Sequence, residues 1–236
     1  MQIDLPCAVN SWHKVMVKLL KAFNQNPTLR YVTPFMVFSL LSLIKDWGNP
    51  QSIFWIYAAK ALITGAVILY CFRGHWGEIG GKFDWCAVGL GILVFVIWVL
   101  PEILFPEERP ITYNPNVFKS PFIKAAAISF RMFGACVIVP FVEEILWRGF
   151  LMRYLIRQDF TSVSLGTYTH LSFWITAISF GLMHSSWEWG VAIVTGILYG
   201  AYLVKTHNLR GVILAHAATN LCLALFVLAT GQWKFW

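Results

Sequence analysis

The sequence predicts an all-α protein, a polytopic transmembrane helical bundle of about seven spans, with eight as the alternative. Three observations lead to this fold class: the composition, a series of apolar runs, and the placement of the basic residues. Of the 236 residues, 58% are hydrophobic and only 12% are charged, whereas an ordinary soluble domain has about 25% charged residues. So few charges do not cover a soluble surface, which excludes a soluble enzyme and a disordered chain.

The apolar runs are long enough to cross a membrane, since about 20 residues span the hydrocarbon core. The first run is short and contains Pro34, and the sixth follows the fifth almost without a loop. The segment 12–23 interleaves lysines with large apolar residues, as an interfacial helix does, and an eighth span forms if 5–23 enters the bilayer. The seven runs cover about 31–44, 53–72, 85–104, 121–154, 171–187, 189–204 and 212–233.

The chain divides into three parts: an N-terminal interfacial segment (1–30), N-terminal transmembrane spans and a loop (31–121), and a transmembrane core (122–236). The basic residues set the orientation. With the N-terminus in the cytoplasm, 11 of the 18 Lys and Arg residues lie on or near the cytoplasmic side and 4 lie opposite. The positive-inside rule therefore predicts a cytoplasmic N-terminus and an external C-terminus. These Lys and Arg residues are scattered over the span ends, where they contact anionic lipid headgroups, and they do not indicate a nucleic-acid partner.

A few ionisable residues fall inside the apolar runs. They are Glu143 and Glu144 in one run, His184 in another and His216 in the last. An ionised group within the bilayer costs at least a few kcal/mol, so such residues are functional candidates by default. Because the four lie on three separate predicted helices, we expect one shared polar site.

The spacing of these residues supports a shared site. Glu144 and Arg148 are four residues apart and favour an ion pair on one helix face. Glu143 points about 100° away from Glu144 and is left free for chemistry. His216 and Asn220 are also four residues apart, so an imidazole and an amide share a face. Each of Glu143 and His184 lies roughly 21 Å from the cytoplasmic end of its helix, so the two are able to meet.

Three motifs resemble those of the CAAX-protease and bacteriocin-processing (CPBP, or Abi) family, which includes the type II CAAX prenyl endoproteases. They occur in family order: Glu143-Glu144-x-x-x-Arg148, Phe180-x-x-x-His184 and His216-x-x-x-Asn220. The flanking segments, with the tail TGQWKFW, look closer still to a branch associated with bacterial exosortase systems. The resemblance implies a multi-pass protein of the bacterial inner membrane.

The resemblance also implies the chemistry, that of an intramembrane glutamic endopeptidase. Glu143 and His184 would activate a water that hydrolyses a peptide bond, without a covalent intermediate and without a cofactor. His216 and Asn220 would donate hydrogen bonds to the oxyanion, while Glu144, Arg148 and Phe180 would be supporting residues. The partners would be the lipid bilayer and a membrane-associated protein or peptide substrate.

Two alternatives remain open from the residues alone. Glu143, His184 and His216 form a two-histidine, one-carboxylate set that is able to bind zinc and leave a position for water. The other alternative is a non-catalytic protein, such as a bacteriocin-immunity factor or a membrane scaffold. The intact set of predicted catalytic residues argues against that second alternative.

Overall fold

The computed structural model describes residues 25–44, 51–106 and 108–236. These residues contain seven helices and no strand, which confirms the predicted all-α class. The predicted interfacial helix over 12–23 and the possible eighth span over 5–23 lie outside the described residues. The helices are α1 (Pro27–Ser42), α2 (Ser52–Cys71), α3 (Trp85–Leu104), α4 (Pro121–Tyr154), α5 (His170–Leu182), α6 (Trp189–Thr206) and α7 (Leu209–Thr230).

Each of the seven predicted runs corresponds to one of these helices, but the helices differ in length. Within the described part of the chain, five are long and apolar enough to cross a membrane, namely α2, α3, α4, the helix containing α6, and α7. The first helix, α1, has 16 residues and contains Pro34. The fifth, α5, has 13 residues and is about 20 Å long, which is shorter than the ~30 Å hydrocarbon core.

The helix α5 ends earlier than the apolar run that predicts it. The run continues to 187, whereas the helix ends at Leu182. Ser185 and Glu188 form a capping box that starts a short 3₁₀ turn, Ser186–Glu188, and this turn leads directly into α6. His184 therefore lies in the α5–α6 turn and not inside a helix.

The helices alternate in direction, and their connections collect at two ends of the bundle. At one end, Arg210 Nε donates to the Ile79 carbonyl over 2.7 Å and Asn208 Nδ2 to the Lys82 carbonyl over 2.8 Å. These bonds join the α2–α3 connection to the α6–α7 connection. At the other end, the buried carboxylate of Glu102 pairs with Lys234 and with Arg109.

Two glycines let neighbouring helices approach closely. A Cβ at Gly91 of α3 would lie 2.3 Å from the Ala215 carbonyl oxygen of α7, and one at Gly196 of α6 would lie 2.7 Å from the Ala177 carbonyl oxygen of α5. Small residues at such crossings are typical of membrane helix packing. These contacts bring α3 close to α7 and α5 close to α6.

Candidate active site

The middle of α4 is not a regular α-helix. Two π-helical segments, Gly134–Ile138 and Ile145–Leu151, flank the short α-helical segment Val139–Glu144 that carries both glutamates. Interruptions of this kind occur frequently at functional sites. The apolar pattern of the sequence predicts one continuous helix here and does not indicate these segments.

Pro140 explains how Asn220 is tied to the first π segment. In a π turn the carbonyl of Ala135 would accept from the N–H of the residue five positions later, but that residue is Pro140, which has no N–H. Asn220 Nδ2 of α7 supplies the donor and lies 2.7 Å from the Ala135 oxygen. The amide of Asn220 therefore keeps one N–H and its carbonyl oxygen for other partners.

Glu144 and Arg148 form the ion pair that their spacing predicts. Both side chains are fully buried, and Arg148 Nη1 lies 3.0 Å from Glu144 Oε2. Arg148 also donates to the Gly196 carbonyl over 3.2 Å, and its guanidinium lies 4.4 Å from the centre of the Phe180 ring. The pair thus joins α4 to α5 and α6.

Glu144 has a second partner that the sequence analysis did not predict. His216 Nδ1 lies 2.8 Å from Glu144 Oε1, and the histidine is 7% exposed. A carboxylate accepts hydrogen bonds, so Nδ1 carries the proton that it donates to Glu144. This bond fixes the orientation of the His216 ring and turns Nε2 away from Glu144.

Glu143 is in a different environment from its neighbour. It is partly buried, and its Oε2 atom is inaccessible to solvent and has no hydrogen-bond partner among the described residues. Glu143 lines a cavity of about 110 Å³ together with His184, His216 and Asn220. The structure therefore brings the four predicted catalytic side chains to one cavity.

The side chain of His184, which lines this cavity, contacts the backbone through one ring nitrogen. Its Nδ1 lies 2.9 Å from the Phe180 carbonyl oxygen, which only accepts, so Nδ1 is the donor and Nε2 of the neutral ring is an acceptor. The ring also packs 5.5 Å from the Trp98 ring, and Trp189 Nε1 donates to the His184 carbonyl. These contacts hold the α5–α6 turn in place.

Several side chains that line the cavity were not predicted from the sequence. The hydroxyl groups of Tyr199 and Thr219 lie 2.7 Å apart, and Trp98 Nε1 donates to Thr195 Oγ1 over 2.8 Å. A signal was present for two of them, since Thr195 and Tyr199 are polar, four residues apart and inside an apolar run. The cavity-lining residues beyond the predicted set are Trp98, Val139, Thr195, Tyr199, Thr219 and Leu223.

Glu143 and His184 also face a second cavity, on the other side of α4. This cavity has a volume of about 350 Å³ and lies between α1, α4 and the α5–α6 turn. Its walls are mostly apolar, with Ser39 and Ser42 of α1 as polar members. The wall residues other than Glu143 and His184 are Phe35, Phe38, Ser39, Ser42, Leu43, Trp147 and Met183. The pair Glu143–His184 thus stands where the two cavities meet.

The zinc alternative requires Glu143, His184 and His216 to be grouped around one position. Within the described ranges, no three His, Cys, Asp or Glu side chains are grouped closely enough to hold a metal ion. Glu144 and His216 are joined to each other, and the Nδ1 atom of His184 bonds to a backbone carbonyl.

Comparison with known families identifies the region that contains the site. Residues 124–222 match the family model described as type II CAAX prenyl endopeptidase Rce1-like. Neither a curated protein nor a solved structure matches the chain. The matched region runs from the first turn of α4 into α7 and includes every side chain of the predicted site. This match confirms, over residues 124–222, the resemblance to CAAX proteases that the three motifs predict.

Proposed function

We propose that this protein is an intramembrane endopeptidase that hydrolyses a peptide bond of a membrane-associated protein. One observation carries the proposal: Glu143, whose buried Oε2 has no hydrogen-bond partner among the described residues, lines the same cavity as His184. The family match supports CAAX-protease-type hydrolysis in general. The assignment of Glu143 and His184 to the reaction, and the substrate, belong to the proposal.

The first step is attack by water on the scissile carbonyl carbon. Glu143 and Nε2 of His184 hold the water as acceptors, and Glu143 takes its proton as the new C–O bond forms. A positioned general base contributes typically about 10²–10⁴-fold to the rate. The C–N bond then breaks, the proton passes to the leaving amine, and Glu143 returns to its ionised form without a covalent intermediate.

The negative charge on the tetrahedral intermediate requires donors on the opposite side. With its Nδ1–H held by Glu144, His216 would donate from Nε2 in the ring form that has a proton on both nitrogens. Asn220 would donate its remaining amide N–H. Removing a preorganised donor of this kind typically costs about 3 kcal/mol of transition-state stabilisation.

Glu144, Arg148 and Phe180 act through other residues. Glu144 holds the ring of His216, Arg148 balances the charge of Glu144, and the carbonyl of Phe180 fixes the tautomer of His184. We therefore assign them as positioning residues. A buried carboxylate that orients a histidine is a recurring arrangement in hydrolases.

The cavity between α1 and the α5–α6 turn offers a path for the substrate. Its volume of about 350 Å³ and apolar walls suit an extended, membrane-embedded peptide. The family description names prenylated CAAX substrates, and the exosortase-related resemblance would favour an exported protein of the bacterial inner membrane. Whether cleavage requires a prenyl group on the substrate therefore has to be tested directly.

The proposal is tested with the purified protein in liposomes and a panel of membrane-anchored peptides. Each peptide is made in a prenylated form and in a form with an unprenylated apolar anchor. We expect wild type to cleave at least one member and Glu143→Gln to lose about 10²-fold or more of that rate. Glu108→Gln, which changes an exposed loop carboxylate, is the matched control. Equal cleavage by wild type and Glu143→Gln would reject Glu143 as the base.

The same assay separates the zinc alternative from the proposed mechanism. Wild type is incubated with a strong zinc chelator, dialysed and assayed with and without added zinc. Retained activity is expected, because the water is activated by side chains. Loss in the chelator with recovery in zinc would support the two-histidine, one-carboxylate zinc site instead.

A further inference from the structure

A third cavity, which is polar and lies away from Glu143, contains two basic side chains of the membrane-spanning helices. It lies where the end of α1, the first half of α2 and the first half of α4 meet, and its volume is about 200 Å³. Lys60 of α2 and Arg131 of α4 both line it. Aromatic walls surround them, formed by Tyr57, Tyr113 and Trp236.

The two cations are held by ring faces. Lys60 Nζ lies 4.2 Å from the centre of the Phe38 ring and 4.8 Å from that of Tyr57, and it donates to Ser42 Oγ over 3.1 Å. The Arg131 guanidinium lies 4.5 Å from the centre of the same Tyr57 ring. Its Nε atom is inaccessible to solvent and has no hydrogen-bond partner in the part of the chain that the structure describes.

No carboxylate within residues 25–44, 51–106 and 108–236 forms an ion pair with Lys60 or Arg131. This differs from Arg148, which is paired with Glu144, and from Lys234, which is paired with Glu102. Two like charges against one ring repel each other, and each is costly at membrane depth without an anion. The cavity is therefore suited to a negatively charged ligand.

An apolar groove continues from the cavity along the outside of α2. It has a volume of about 440 Å³ and shares Lys60 with the cavity. Trp55 and Ile63 line it and are 46% and 47% exposed, so the groove opens on the face that α2 turns away from the bundle. A charged pocket joined to an outward apolar groove matches a molecule with an anionic head and a hydrocarbon chain.

We propose that Lys60 and Arg131 bind the phosphate of an anionic phospholipid, whose acyl chain lies in the groove along α2. Basic pockets between membrane helices bind anionic headgroups in this way. A peptide carboxylate would satisfy the cations but would leave the groove unfilled. Ser42 connects the lipid site to the substrate path, because it accepts from Lys60 and also lines the cavity that reaches Glu143.

The test measures lipid binding directly by native mass spectrometry of the full, delipidated chain in detergent. Phosphatidylglycerol, phosphatidylcholine and inorganic phosphate are the probes. We expect phosphatidylglycerol to bind at least ten-fold more tightly than phosphatidylcholine, and equimolar inorganic phosphate not to displace it. Displacement by phosphate would show that the cavity binds a free anion and not a lipid. Equal binding of the two lipids would also overturn the proposal.

Variants locate the site and separate its two parts. Lys60→Gln with Arg131→Gln should weaken phosphatidylglycerol binding at least ten-fold, whereas Lys119→Gln, which removes an exposed lysine at the same end of α4, should not. Ala59→Phe fills the exposed groove, keeps both cations and should also weaken lipid binding. Equal effects of Lys119→Gln and the double variant would indicate non-specific adsorption, and unchanged binding by Ala59→Phe would remove the groove from the site.

Discussion

Glu143 and Glu144 are adjacent in the chain, but their carboxylates have different surroundings. Glu144 is fully buried between Arg148 and His216. Glu143 lines two cavities, and its Oε2 has no hydrogen-bond partner among the residues that the structure describes. One carboxylate therefore holds the structure around the site, and the other is available for the reaction. The two residues should respond differently to the same isosteric change.

We expect Glu144→Gln to destabilise the fold, because it leaves the Arg148 guanidinium buried without its counter-charge. Breaking a buried pair in this way costs about 3–5 kcal/mol. Glu143→Gln removes no observed partner, and its free energy of unfolding should stay within about 0.5 kcal/mol of wild type. Denaturant unfolding in mixed micelles measures both values. Equal destabilisation by the two variants would contradict the separation of their roles.

Contacts between residues close in sequence were predictable, whereas contacts between residues distant in sequence were not. The Glu144–Arg148 pair follows from the four-residue spacing on one helix, and the structure confirms it. The bond from His216 to Glu144 joins residues 72 positions apart, so no local pattern contains it. Of the four predicted catalytic residues, all line one cavity, but their roles in the reaction stay a prediction.

At the scale of elements, the interrupted helix α4 is the feature that shapes the site. Pro140 leaves the Ala135 carbonyl without a backbone donor, and Asn220 of α7 occupies that position. The proline thus connects a local break in α4 to the placement of a cavity residue on another helix. Periodicity did not predict the break, because apolar residues continue on both sides of it.

The connection predicts non-additive effects of two substitutions. Asn220→Ala leaves the part-buried Ala135 carbonyl without its donor and should lower the free energy of unfolding by about 1–3 kcal/mol. In a Pro140→Ala background, the restored N–H donates to Ala135 and the same change should cost less, with a coupling of about 0.5 kcal/mol or more. A double-mutant cycle of unfolding free energies measures the coupling. Strict additivity would show that Pro140 does not create the need for Asn220.

At the scale of the whole molecule, the alternation of the helices separates the connections into two groups. Arg210, Asn208 and Lys82 lie at one end, and Glu102 and Lys234 at the other. The structure thus supports the up-and-down order on which the predicted orientation depends. Which end faces the cytoplasm rests on the excess of basic residues near the first group.

Labelling of single cysteines tests this orientation. In a chain whose five native cysteines are replaced by alanine, Lys205→Cys and Lys119→Cys each introduce one cysteine in place of an exposed lysine, at opposite ends of the bundle. In oriented membrane vesicles, a membrane-impermeant thiol reagent should reach the first from the cytoplasmic side and the second from the opposite side. Labelling of both from one side would contradict the alternation, and reversed labelling would contradict the positive-inside prediction.

The fold class was predictable because a scarcity of charge and long apolar runs are properties of the whole chain. The exact ends of the helices were harder to predict. The α5–α6 turn, for example, depends on the capping pair Ser185 and Glu188, which lies within an apolar run. The second cavity beside Glu143 and the Lys60–Arg131 cavity were not predicted, because both are formed by helices that are distant in sequence.

The joint action of Glu143 and His184 on one water is tested most directly by the rates of Glu143→Gln, His184→Gln and the double variant. The measurement is kcat/KM for the best-cleaved peptide in liposomes, with folding verified by unfolding curves. Residues that act as a unit are strongly non-additive, so we expect each single variant to lose about 10²-fold or more and the double variant to be little slower than the slower single one. Losses that multiply, or a single variant with the wild-type rate, would contradict a shared water.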